Sequence, residues 1–349
     1  MVRFETREFA VEVGLKEVAR RAGVSVATAS NALSGTRPVA ESTRQRVFRV
    51  AEELDYHPNL IARGLRRQET RTIALLVADI ANPYYPAVAR AIHDRVGSHG
   101  YVSFIGNTDG DPLTEVRVLE EMRSRSVDGV IMSTMSLSAE RIRSVLGPTI
   151  PLVLLTGEPP EGPDGSPRRI LADEVSTDDE TGVREAVAHL LDRGRRAIGF
   201  LSGPDATVPG SNRLAHFRAA MADHGAPVVE AWVEHATGYT IDGGFAAAER
   251  LFARADRPAA VMCANDQIAI GAIEAARDAD LAIPEDIAIV GFDDIPTSKL
   301  LSPRLTTVIN PATLIGYACA DALIRRIEHP ARPFDRYALA THLVVRGSA

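Results

Sequence analysis

The order of apolar and polar positions changes character once, sharply, along the 349 residues. In the first part apolar residues recur every three to four positions: Leu15, Val18, Ala19 and Ala22, then Ala29, Ala32 and Leu33, then Val47, Val50, Ala51 and Leu54. That spacing predicts three short helices, each apolar on one side. Gly23 ends the first, and Ser25 is a good N-cap for the second, VATASNAL. Two helices joined by so short a connection around a glycine make the helix-turn-helix pattern, whose second helix enters the major groove of DNA. A plain helical hairpin in a bundle has the same spacing. From Thr72 onward the pattern becomes continuous apolar runs alternating with helical stretches. TIALLVAD (72–79), YVSFIGN (101–107), DGVIMS (128–133), PLVLL, AIGFLSG, AAVMCAN and IAIVGFDD read as buried parallel strands. Helices are predicted around 85–98, 112–125, 180–192, 211–224 and 266–279. The alternation predicts an α/β, doubly wound fold, too long for one unit and best read as two lobes with a cleft between them.

The second helix has an unusual surface. It carries no charge, and small or hydroxyl side chains dominate it. A groove roughly 12 Å wide admits a slim helix deeply, and short hydroxyls reach phosphate oxygens without bulk. Ser25, Thr28 and Ser30 are the candidates for phosphate or groove-edge contact. Val26, Ala27 and Asn31 are the candidate base readers: Asn can bond adenine N6 and N7, and the apolar pair can meet thymine methyls. Charge supports this end of the chain as the one facing phosphates. The net formal charge is −7, yet residues 1–71 hold 13 Lys/Arg against 9 Asp/Glu, and the rest 26 against 37.

Pro58 and the cap candidate Asn59 introduce one further short helix, LIARGLRR, weakened by Gly64 and too short to be stable alone. With these residues the run Leu15–Arg71 resembles the DNA-binding headpiece and hinge of the LacI/GalR family of bacterial transcription regulators. The resemblance implies a hinge helix that folds only on operator DNA and drives a leucine into the minor groove, a device that kinks the duplex. Leu65 matches that residue. Asn59, Ala62, Arg63 and Arg66 are the accompanying candidates, with Arg67 also near phosphates. Three positions depart from the family pattern: Ala29 replaces a larger apolar residue, Asn31 a frequent Arg, and Ala40 a capping Ser or Thr.

The same resemblance covers the remainder. It implies an all-α helix-turn-helix headpiece followed by a two-lobed, doubly wound, periplasmic-binding-protein-like effector domain. The expected division is an extension at 1–13, the headpiece at 14–58, hinge and linker at 59–71, and effector-binding and dimerisation domain at 72–349. The lobe boundary is expected near 155–175 and the return near 290–310, with GEPPEGPDGSPRR (157–169) an exposed loop. Ligands of doubly wound sheets sit beyond the strand C-termini. There the resemblance marks Tyr84, Tyr85 and Arg213 as effector contacts, Tyr239 as an aromatic platform, and Asn310 at a usually polar position. Asn265 and Asp293 each end a strand. Carboxylate, amide and guanidinium around a ring suit a polyhydroxylated ligand, because each can bond two adjacent hydroxyls. Asp266 and Asp178 are expected to cap helices, and Trp232 to pack.

These readings imply a homodimeric repressor controlled by a small effector, a sugar in the main reading and a nucleobase, nucleoside or other co-repressor in the alternative. A sugar-binding protein or enzyme with the same lobes is the more distant rival. No G-x-G-x-x-G after a strand, Walker A or G-x-S-x-G motif is present, and the nine His are scattered, so no enzyme, cofactor or metal site is expected. MVRFETREFA lacks an apolar signal segment and Cys263 and Cys319 form no disulfide framework, which together suggest a cytoplasmic protein without membrane partners. Without an appended Leu heptad, a dimer is expected rather than a tetramer.

Overall fold

The computed structural model describes residues 14–35, 37–56, 69–155, 168–204 and 207–349. Asn59, Ala62, Arg63, Leu65 and Arg66 lie outside the described residues, as does most of the 157–169 loop. The chain divides after Thr70 into two compact units.

In the first unit, α1 (Leu15–Arg21), α2 (Val26–Ser34) and α3 (Glu41–Glu53) follow the apolar spacing. Val18, Ala19, Ala22, Ala29, Ala32, Val47, Val50 and Ala51 close a small core, flanked by half-buried Leu15, Leu33 and Leu54. Ser25 Oγ accepts from Thr28 N at 3.1 Å and starts α2, and Gly35 ends it in the left-handed region at φ 67°. At the start of α3, Ala40 supplies no side-chain cap.

The second unit holds two six-stranded sheets. One contains β1 (Thr72–Val77), β2 (Val102–Asn107), β3 (Gly129–Ser133), β4 (Leu152–Leu155), β5 (Asp173–Asp178) and β11 (Arg336–Ala340), in the order β11-β5-β4-β3-β1-β2. The other contains β6 (Ile198–Ser202), β7 (Val233–His235), β8 (Ala260–Cys263), β9 (Ala288–Asp293), β10 (Thr306–Ile309) and β12 (His342–Val344), in the order β12-β10-β9-β8-β6-β7. Pairing is parallel except between β10 and β12. The strand order reverses beside β1 and beside β6, which places a crevice at the strand C-termini of each lobe.

Helices α4 (Tyr84–Gly97), α5 (Pro112–Ser124), α6 (Ala139–Leu146) and α11 (Ala312–Glu328) cover the first sheet. Helices α7 (Asp179–Asp192), α8 (Val208–Asp223), α9 (Ile241–Phe252) and α10 (Asp266–Asp278) cover the second. The chain crosses later than the expected 155–175 region. β5 still pairs with β4, so the first crossing falls between Asp178 and Asp179. The return follows β10 at Asn310–Pro311, the end of the expected 290–310 range, because β9 and β10 are neighbours in the second sheet. A third crossing was not expected: β11 joins the edge of the first sheet beside β5, and the chain passes Thr341 to reach β12. An apolar run signals burial, whereas the sheet that receives it is chosen by pairing in space.

Helices α9 and α10 meet at glycines. A Cβ on Gly271 would lie 2.2 Å from Ile241 O and 2.4 Å from Phe245 N, both backbone atoms that cannot yield cheaply. Gly271→Ala is therefore expected to destabilise the unit by about 3 kcal/mol, at the upper end of overpacking costs. Urea unfolding checks this; an unchanged midpoint would show that the helices separate without cost.

Candidate functional site

The outer face of α2 is built by what turns inward. Ala29 and Ala32 are buried against α1 and α3, so the helical period leaves Ser25, Val26 and Ala27 exposed and Thr28, Ser30 and Asn31 half-buried. Ser25 Oγ lies 2.9 Å from Thr28 Oγ1, and each can still present a lone pair or proton outward. The result is a narrow, uncharged ridge with one amide, Asn31, near its middle.

The second site is a cleft between the two sheets of the other unit, enclosing about 840 Å³ including the space at its mouth. It is lined by residues that follow strand ends. β1 leads to Asp79 and Asn82, β3 ends at Ser133 and leads to Thr134, and β5 contributes Ser176, Thr177 and the adjoining Asp179. From the other lobe come Asn212 and Arg213 of α8, Tyr239, Asn265, Asp293 and Asn310. All seven residues expected at an effector site, Tyr84, Tyr85, Arg213, Tyr239, Asn265, Asp293 and Asn310, line this one cleft. The expectation did not include Asp79, Asn82, Ser133, Thr134, Ser176, Thr177, Asp179 and Asn212; position just beyond a strand was the signal that could have found them.

Asp293 is the strained member. It ends β9 with φ 111°, a region that side-chain-bearing residues rarely adopt, and Asp294 follows at φ 52°. Asn310 Nδ2 donates to Asp293 Oδ1 at 2.9 Å, and Tyr84 OH donates to Asn310 Oδ1 at 3.4 Å. Burial pushes the Asp293 carboxyl up to about 6, against the opposing pull of Arg213 and Asn310. Burial likewise holds Tyr84 and Tyr85 as neutral phenols, with Asp293 adding to both shifts. Their rings meet edge to face, 5.3 Å apart at 73°.

Arg213 is fixed on three sides. Nε donates to Asp179 Oδ2 at 2.8 Å, Nη1 donates to Ala264 O at 2.7 Å, and the guanidinium lies 3.7 Å over the ring of Phe292. Burial favours its neutral form, but the charges of Asp179 and Asp293 overcome this and raise its pKa. Tyr239 rests on glycine: a Cβ at Gly203 would fall 2.3 Å from its ring, so only the bare backbone lets the ring lie there. Its hydroxyl is 2.7 Å from Thr207 Oγ1.

Asn265, not Asp266, caps α10, with Oδ1 accepting from Ile268 N at 2.9 Å. Asp266 instead turns into the lobe, where it accepts from Ile295 N, Ser298 Oγ and Thr307 Oγ1. Asp178 does cap α7, accepting from Thr181 N at 3.2 Å and Thr181 Oγ1 at 2.6 Å. Trp232 packs half-buried against the second lobe's core. Among the described residues no cluster of His, Cys, Asp and Glu has the arrangement to hold a metal ion, and no helix is long and apolar enough to cross a membrane.

Residues 14–59 match the family described as bacterial regulatory proteins, lacI family, and residues 187–349 match a periplasmic binding protein-like domain. The chain is 33% identical to the ribose operon repressor of Escherichia coli (strain K12), covering 96% of this chain and 99% of that one. It is 30% identical to the HTH-type transcriptional repressor PurR of Photobacterium profundum, over 96% and 98%. A lac repressor dimer bound to operator and the anti-inducer ONPF has the same fold, with TM-score 0.84 at 24% identity over 97% and 99% of the two chains. A LacI family regulator from Enterococcus faecium with bound ribose superposes with TM-score 0.69 at 27% identity, over 80% and 98%.

Proposed function

Since the chain belongs to the lacI family of bacterial regulatory proteins, we propose that it is an operator-binding repressor whose DNA affinity is set by a neutral sugar held between the two lobes. The observation that carries the sugar reading is the cleft itself. Three carboxylates, four amides and several hydroxyls converge around a tyrosine ring, a donor-and-acceptor set matched to adjacent hydroxyls. A nucleobase would favour two aromatic faces and few carboxylates, whereas the Tyr84 and Tyr85 rings stand at 73° and three carboxylates line the cleft. Pentoses head the panel of probes because two of the similar proteins are named for or bound to ribose.

In this reading α2 lies in the major groove, with Val26, Ala27 and Asn31 toward bases and Ser25, Thr28 and Ser30 toward phosphates. Residues 59–71, with Asn59, Ala62, Arg63, Leu65 and Arg66, connect this headpiece at 14–58 to the body at 72–349. The edge strand β2, where Val102, Phe104 and Ile105 are exposed, supports a homodimer formed through this edge. A regulator of this type is no enzyme and works in the cytoplasm, where its operator is. The effector changes the lobe arrangement and so the spacing of the paired hinges; coupling of this kind is reciprocal.

A thermal-shift panel of neutral pentoses and hexoses against adenine, guanine and hypoxanthine tests the reading. A sugar is expected to raise the melting temperature, since ligand at one hundred times its Kd adds about 2.7 kcal/mol. The same sugar should change affinity for an operator selected from random duplexes. A response to nucleobases alone overturns the sugar assignment.

A further inference from the structure

Among the described residues lining the cleft, the acidic side chains are Asp79, Asp179 and Asp293, and the one cationic side chain is Arg213. Arg213 would be the natural partner for a phosphate or carboxylate, because its planar fork matches two anionic oxygens. Here two of its three nitrogens are bonded to protein. Nε is taken by Asp179 and Nη1 by Ala264 O. Asp179 is itself held from behind, with Thr177 Oγ1 donating to its second oxygen at 2.5 Å. The ion pair is almost fully buried, with 9% of Arg213's side chain and 14% of that of Asp179 exposed. Asp179 is not needed to cap α7, because Asp178 does so. Two adjacent acids at the lobe crossing thus have separate tasks.

We propose that Asp179 makes the cleft exclude anionic ligands: by occupying and neutralising Arg213 it leaves the site able to take a neutral polyol but not the corresponding sugar phosphate or sugar acid. The inference rests on the cleft being the effector site. An incoming phosphate meets three carboxylates and one guanidinium whose charge is already paired with Asp179, and it would have to shed its water for no new counter-charge. A neutral hydroxyl can donate to those same carboxylates.

The test uses the full chain and three probes: D-ribose, D-ribose 5-phosphate and inorganic phosphate. Calorimetry and thermal shift on the unaltered protein are expected to show no response to either phosphate. Asp179→Asn keeps the shape and removes the charge, and should tighten binding of both phosphates by about tenfold or more, the scale of one unit charge removed at close range. Adding Arg213→Gln to that variant should abolish the gain, which a merely structural role for Asp179 would not produce. The proposal is overturned if the unaltered protein binds ribose 5-phosphate as tightly as ribose, a comparison that needs no variant to fold. It is equally overturned if a folded Asp179→Asn protein, checked by far-UV circular dichroism, gains nothing. Should ribose and the other neutral sugars fail everywhere while the variant gains phosphate binding, the charge rule stands and the sugar reading falls; the converse result has the opposite meaning.

Discussion

Replacing Asp293 by alanine is expected to remove the effector response while operator binding survives. The carboxylate ends β9 at the cleft and is held through Oδ1 by Asn310 Nδ2, and in the proposed reading its other oxygen accepts from the ligand. Hydrogen bonds to a charged group contribute about 1.5–3 kcal/mol each. Losing two therefore weakens the effector by roughly a hundredfold or more. Helix α2, the proposed operator-contacting helix, belongs to a separate compact unit, so its contacts are expected to be untouched. Titration of labelled operator with and without sugar checks both halves; a variant that still responds fully removes Asp293 from the site. The same group predicts a pH profile. Its pKa of about 6 in the folded protein means that the ionised acceptor is lost as pH falls through 6. Effector affinity should thus be level above pH 7 and fall about tenfold per unit well below 6. Asp293→Asn should flatten that slope. The guanidinium of Arg213, which pulls against this shift, keeps its charge across this range.

Much of this architecture is legible in the order of residues. Ala29 and Ala32 had to face inward at helical spacing, which exposed Val26 and Ala27, and Ser25 was recognisable as a cap from its place before the apolar run. The seven expected cleft residues came together because strand ends in a doubly wound sheet face one crevice. What stayed hidden has physical reasons. Asn265 and Asp266 are adjacent and both polar, and either could start a helix; only the packed turn at 295–298 decides which side chain goes inward. Asp179 drew no expectation, because local sequence cannot show that Arg213, 34 residues away, reaches back to it. β11 was not among the expected strands, and nothing local reveals that the chain returns to the first sheet there.

Asp266→Ala is expected to destabilise the effector-binding unit by about 3–5 kcal/mol, the cost of stranding buried donors and opening a void. Its carboxyl is fully buried, with Oδ2 taking Ile295 N at 2.9 Å and Ser298 Oγ at 2.5 Å, and Oδ1 taking Thr307 Oγ1 at 2.5 Å. Gly291 on β9 has no side chain, and a Cβ there would fall 2.2 Å from Oδ1. One carboxyl therefore ties α10, β10 and the turn after Asp294 together, and holds the strained Asp293 from behind. Burial first, then the charge of Asp293, push it up to about 7, against the three donors. The native state thus holds this proton more tightly than the unfolded chain, whose Asp titrates near 3.9. Between about pH 4 and 7 stability from this group falls as pH rises, by about 1.4 kcal/mol per unit, and it levels off above 7. Urea melts across that range should show the slope in the unaltered protein and a shallower one in Asp266→Ala. The variant should also lose effector affinity, because the turn behind Asp293 is no longer held. A variant that melts with the same midpoint and binds sugar normally would mean that Ser298, Thr307 and Ile295 find other partners and that Asp293 keeps its backbone unaided.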